Sequence, residues 1–221
     1  MDEQTSMKLF KSLKTNETPK VDLVQGEVIA FTKTFENYCV GIVDIKESTR
    51  LTAMLSKPDM CQYYTIFLNF MASIIRKHGG TVVKNVGDSL LYYFPKISDN
   101  TNRSLFADPL DCGMKMIEAH KVVNTKMYQE GLPVVNYRIS SDYGMVMSAH
   151  SANSFTEDIF GPTVNLCAKI NSMAKTNTMV IGGDLYQIVR SFKEYRFESV
   201  SEYHNGLKHD YPVYSISHVK V

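Results

Sequence analysis

The order of local patterns along the chain predicts an α+β domain with a β-α-β-β-α-β core. Three observations carry this. An apolar strand-like run, residues 38–45, precedes a long helix-periodic stretch. Two further strand-like runs over 81–94 turn at Gly87-Asp88. A second helix-periodic stretch then leads into alternating residues 134–143. This is the ferredoxin-like order, with further elements at its C-terminal side. A chain of 221 residues is long enough for one such domain with additions.

Each element follows from local signals. Residues 1–35, rich in Lys, Thr and Glu and containing Pro19 and Gly26, are expected to form an N-terminal extension, and 36–221 the domain. The first strand reads Tyr-Cys-Val-Gly-Ile-Val-Asp-Ile. Ser48-Thr49 can start a short helical segment, and Ser56-Lys57-Pro58-Asp59 starts a second, with Pro58 near its first position. Tyr63, Tyr64, Phe67, Leu68, Met71, Ile74 and Ile75 then recur at helical spacing up to a Gly79-Gly80 cap. After the hairpin, 95–108 is a polar loop. Leu110, Met114, Met116, Ile117, Ala119 and Val122 predict one helix over 109–130. A strand over 134–143, a helix over 161–174 and short strands at 179–181 and 212–216 complete the chain.

Composition narrows the class of protein. An apolar fraction of 44% with seven prolines argues for a packed core and against disorder. A net charge of +1 offers no electrostatic reason to expect nucleic acid or an anionic membrane as partner. Cys39, Cys61, Cys112 and Cys167 stand singly in apolar or helical contexts, without metal spacing, and are expected to be buried free thiols of a reducing compartment. The N-terminus lacks an apolar stretch of signal-peptide length. Residues 64–75, the most apolar window, are too few to span a bilayer and include Asn69 and Ser73. The cytoplasm is the expected location. The six histidines show no ligand spacing, and the twelve methionines suit core filling.

Asp44 and Asp88 are the clearest candidates for chemistry. Each ends a strand-like run, and carboxylates brought together at neighbouring strand ends suit Mg²⁺ or Mn²⁺ in a protein that also binds polyphosphate. Turn preference at Asp88 and helix capping at Asp44 would place the same residues there without a metal.

Three segments in register resemble the class III nucleotidyl cyclase catalytic domain, the family of adenylate and guanylate cyclases. They are Val43-Asp44-Ile45-Lys46-Glu47-Ser48-Thr49, His78-Gly79-Gly80-Thr81-Val82-Val83-Lys84-Asn85-Val86-Gly87-Asp88, and Glu157-Asp158-Ile159-Phe160-Gly161-Pro162-Thr163-Val164-Asn165-Leu166-Cys167-Ala168-Lys169. The similarity covers roughly residues 38–217. It implies that Asp44 and Asp88, with the Ile45 carbonyl, hold two divalent ions, while Ser48, Thr49 and nearby backbone N–H groups cradle phosphate oxygens. Capping of the helix start is an alternative use of both hydroxyls. Lys84 and Asp158 match the pair that reads adenine, so ATP is the expected substrate; in isolation Lys84 would suit the solvated face of a strand equally well. Asn165 matches the asparagine that orients the ribose.

The chain also departs from the family pattern. Lys169 stands where the family has an arginine that stabilises charge developing on the α-phosphate; lysine keeps the charge but loses the planar two-pronged donor. The glycine-rich turn after the strand is replaced by residues 144–154, and Asn205 or Lys208 stands near the position of the C-terminal phosphate-binding lysine. A charge-poor phosphate pocket predicts that Mn²⁺ supports more activity than Mg²⁺, which equal rates with either ion would oppose. The resemblance further implies a head-to-tail homodimer, in which the metal motif of one subunit meets the asparagine and arginine positions of the other. Three activities are open to such a chain: an adenylate cyclase, a cyclase for another nucleotide, and a catalytically silent nucleotide-binding or dimerisation module.

Overall fold

The computed structural model describes residues 29–95, 103–151, 157–200 and 211–219. Strand β1 (Ile29–Ile45) leads through the short helix α1 (Ser48–Thr52) to the long helix α2 (Lys57–Lys77). Strands β2 (Thr81–Val86) and β3 (Ser89–Phe94) form the hairpin. A 3-10 turn (Arg103–Phe106) opens α3 (Ala107–Glu118), followed by α4 (His120–Gln129) and β4 (Tyr137–Ser151). Then come β5 (Glu157–Phe160), α5 (Pro162–Asn171), β6 (Met179–Gly182), α6 (Gly183–Val189), β7 (Tyr195–Ser199) and β8 (Val213–His218).

The ends of α2 show how sequence sets an element. Ser56 Oγ accepts from the Asp59 N–H at 3.2 Å, with Pro58 in the first turn where no N–H is needed. At the other end Gly79 turns at φ +80°, and the Gly80 N–H donates to the Ile75 carbonyl at 2.9 Å.

Among the described residues the sheet has eight strands in the order β2-β3-β1-β4-β6-β8-β7, with β5 pairing β4 off this path. Its first four strands, β2-β3-β1-β4, are the expected ferredoxin-like core. Among the described strand pairs only β4–β6 is parallel. The period of two along β1 splits the interior. Cys39, Val43 and Ile45 join the larger cluster with α2, α3, α4 and α6, while Tyr38 and Val40 meet Cys167 of α5 on the opposite face. Asp44 belongs by alternation to the face that α5 covers.

Several expectations need correction. β1 starts at Ile29, so residues 29–35 of the expected extension belong to the first strand. Residues 109–130 form two helices, α3 and α4, which meet at Ala119 (ψ −10°); its N–H still donates to the Lys115 carbonyl and its carbonyl accepts from the Val123 N–H, and no Gly or Pro announces the junction. β4 begins at Tyr137, since the side-chain amide of Asn124 bonds both the N–H and the carbonyl of Val135 and holds that stretch away from the sheet. It runs on to Ser151, pairing both β1 and β5. Cys61 is exposed on α2; Cys39, Cys112 and Cys167 are buried. The helix expected over 161–174 is α5, three residues shorter at its C-terminal end. Among the described residues no helix is long and apolar enough to cross a membrane.

Candidate active site

Asp44 lies one residue from the C-terminal end of β1, opposite Ser89 of β3 and Arg138 of β4. Asp88, half-buried, occupies the β2–β3 turn next to Ser89, so the antiparallel register brings the two aspartates to one corner of the sheet. Arg138 grips Asp44 with two donors: Nε reaches Oδ2 at 3.0 Å and Nη2 the same oxygen at 2.9 Å. The Asp44 side chain is 18% exposed and that of Arg138 27%. Burial pushes the Asp44 carboxyl above its ordinary value, the Arg138 guanidinium opposes this, and the Asp88 charge adds to the rise. One guanidinium therefore leaves the corner short of positive charge.

That imbalance fits a divalent cation, as does the donor set of two hard carboxylates and the Ile45 backbone carbonyl. Among the described residues no group of three or more His, Cys, Asp or Glu side chains could hold a metal unaided. A metal here would draw its remaining ligands from a phosphate or water. Arg138 escaped sequence reasoning. The available signal was its place at the start of an alternating strand, which does not show that it pairs with an aspartate 94 residues earlier.

Beyond Ile45 the chain turns sharply. Glu47 takes a left-handed conformation (φ 60°, ψ 28°), and α1 follows without a side-chain cap at its first turn. Ser48 is half-buried and Thr49 exposed. Capping by these hydroxyls is thus not how this short helix begins.

Lys84 on β2 and Asp158 on β5 meet in an ion pair through Lys84 Nζ and Asp158 Oδ2. Their side chains are 43% and 27% exposed, so the pair is reachable from solvent. Asp158 Oδ1 accepts from the Ile159 N–H at 2.9 Å, and the Lys84 ammonium lies 5.7 Å from the centre of the Phe160 ring. Sequence reasoning marked Asp158 without finding its strand: β5 is four residues long and half polar.

Asn165 and Lys169 lie one turn apart on the exposed face of α5. Neither side chain has a hydrogen-bond or ion-pair partner among the described residues. The helix itself is seated by its other face: Thr163 Oγ1 donates to the Met145 carbonyl at 3.0 Å, and Asn171 Nδ2 to the Ile42 carbonyl at 3.3 Å and Ser140 Oγ at 3.2 Å. Asn205 and Lys208 lie outside the described residues, as do residues 152–154 of the segment that replaces the glycine-rich turn.

The profile of the family described as adenylate and guanylate cyclase catalytic domain matches residues 31–218, and the chain belongs to that family. It is 27% identical over 142 residues to an adenylate cyclase of Streptomyces coelicolor, covering 64% of this chain and 31% of that protein. It is 27% identical over 176 residues to a germination-specific adenylate cyclase of Dictyostelium discoideum, covering 76% of this chain and 19% of that protein. The chain thus spans less than a third of either relative. Among solved structures, the adenylyl cyclase CyaB from P. aeruginosa superposes with a TM-score of 0.75 at 19% identity, covering 85% of this chain and 96% of that one. The guanylyl cyclase Cya2 follows at 0.72 and 21%, covering 85% and 94%. Both enzyme classes share the fold, so fold similarity does not separate ATP from GTP.

Proposed function

We propose that the chain is an adenylate cyclase, converting ATP to 3',5'-cyclic AMP and diphosphate at composite sites of a head-to-tail homodimer. The Lys84–Asp158 pair carries this reading. An ammonium donor faces the N1 acceptor of adenine, and a carboxylate accepts from its exocyclic amine; guanine presents a donor at N1 and an acceptor at O6. Without a base the two side chains neutralise each other, and an adenine edge can enter between them while both keep a partner.

Held by Asp44, Asp88 and the Ile45 carbonyl, two Mg²⁺ or Mn²⁺ ions would acidify the ribose 3'-hydroxyl and screen the triphosphate. Arg138 holds the Asp44 carboxylate through Nε and Nη2 and keeps a positive charge beside the corner where phosphate oxygens would lie. Backbone N–H groups at residues 47–49, with Ser48 and Thr49, face the same phosphates, while the Lys46 N–H is held by the Asn136 carbonyl. Asn165 orients the ribose, and Lys169 stabilises charge on the α-phosphate, from the partner subunit's copy of α5.

The test is product formation from ATP, GTP, CTP and UTP, each with Mg²⁺ or Mn²⁺, beside an Asp44→Ala variant. Cyclic AMP from ATP, abolished in the variant, is the expected result. A preference for GTP would overturn the base assignment, and no cyclic product from any nucleotide would leave a silent nucleotide-binding module.

A further inference from the structure

Beside the proposed metal corner lies a residue that the mechanism above does not use. Asn177 follows α5 in a left-handed conformation, φ 56°, which asparagine tolerates better than most residues. Its N–H donates to the Tyr137 carbonyl at 2.7 Å, and its Oδ1 accepts from the Tyr137 N–H at 3.1 Å. Its Nδ2 donates to Asn136 Oδ1 at 2.8 Å. Asn136 in turn accepts, at its backbone carbonyl, the Lys46 N–H at 2.8 Å.

These bonds converge on the metal motif. Tyr137 lies opposite Ile45 in the β1–β4 register, and Arg138, the next residue, lies opposite Asp44. Lys46 directly follows Ile45, whose carbonyl is a proposed ligand. A second tether runs alongside, since Lys46 Nζ donates to Thr176 Oγ1 at 2.8 Å. His120 Nε2 stands 3.2 Å from Asn136 Oδ1 and flanks the same amide from α4.

We infer that Asn177 is a positioning residue: by clamping Tyr137 and Asn136 it fixes the end of β1, so that the Asp44 carboxylate and the Ile45 carbonyl face one cation. It touches neither metal nor nucleotide. Groups that orient metal ligands in this manner are typically worth roughly ten- to a hundredfold in metal affinity, because the ligands otherwise lose orientational freedom on binding. The inference rests on the proposed metal site at Asp44.

Mn²⁺ binding, titrated by electron paramagnetic resonance on the purified protein without nucleotide, tests it. Asp44→Asn should abolish the Mn²⁺ binding that the wild type shows. Asn177→Gly keeps the left-handed backbone and removes only the clamp, and its Mn²⁺ affinity should fall about tenfold. Asn177→Asp still accepts from the Tyr137 N–H but sets an oxygen against Asn136 Oδ1, so it should recover only part of that loss. An Asn177→Gly protein that melts earlier but binds Mn²⁺ as the wild type does would make Asn177 purely structural and overturn the inference. If Asp44→Asn leaves Mn²⁺ binding unchanged, the metal-site assignment fails, and the inference with it.

Discussion

Asp44 and the outer face of α5 represent opposite ways of building half a site. Asp44 is mostly buried, held by two donors of Arg138 and fixed in register on two sides by β3 and β4. Asn165 and Lys169 are exposed on a helix whose bonds to the sheet all come from its other face. The first arrangement is set before any ligand arrives. The second leaves two polar side chains free on a rigid support, as a group that acts on a neighbouring surface would be.

The strongest way to break the contrast is to remove the charge that the buried corner is built around. Asp44→Asn is expected to lower cyclase activity on the order of 10²- to 10³-fold, the scale of losing one charge-stabilising group at a reacting centre, as measured by cyclic nucleotide formation at saturating metal. Its melting temperature should change far less, because Arg138 is solvated enough to tolerate an amide neighbour.

A second buried carboxylate, away from the proposed metal corner, sharpens the comparison. Asp142 on β4 is fully buried, accepts from Tyr211 Oη at 2.5 Å and from the N–H groups of Tyr143 and Leu185 at 2.9 and 3.3 Å, and lies near Asp184. Burial pushes its carboxyl up to about 6, against the pull of these donors. The folded state holds the proton more tightly than the unfolded chain. The stability contributed by this group therefore falls as pH rises from its ordinary value of 3.8 to about 6, and levels off above. Asp142→Asn should gain on the wild type across that window by on the order of 3 kcal/mol, read from denaturant melts at several pH values.

Smaller effects bear on the exposed half. Lys84→Ala should reduce the preference for ATP over GTP by about ten- to a hundredfold in kcat/KM, the worth of one charged hydrogen bond. Lys169→Arg should raise kcat by about tenfold with little change in KM, because a planar donor pair suits a developing oxyanion better than a single ammonium.

How far the sequence reaches follows from the physics of each element. Asp44 and Asp88 were legible because strands end where apolar alternation ends, and Asn165 and Lys169 because a spacing of four puts both on one helix face. α2 was legible at both ends, through Ser56, Pro58 and Gly79. Arg138 was not, since its role depends on strand register rather than on neighbouring residues. The junction at Ala119 has no Gly or Pro to mark it, and β5, though Gly161-Pro162 follows it, is too short to show periodicity. Asn177 lies in a loop where only the fold reveals what its amide holds.

Mixing two single-site variants tests the divided site most directly. Asp44→Asn and Asn165→Ala, each nearly inactive alone, are combined after confirming by light scattering that both are folded dimers, and cyclic AMP formation is followed as the subunits exchange. Statistical pairing of complementary halves predicts recovery to about a quarter of wild-type activity. No recovery from exchanged dimers would contradict a site shared between Asp44 of one subunit and α5 of the other.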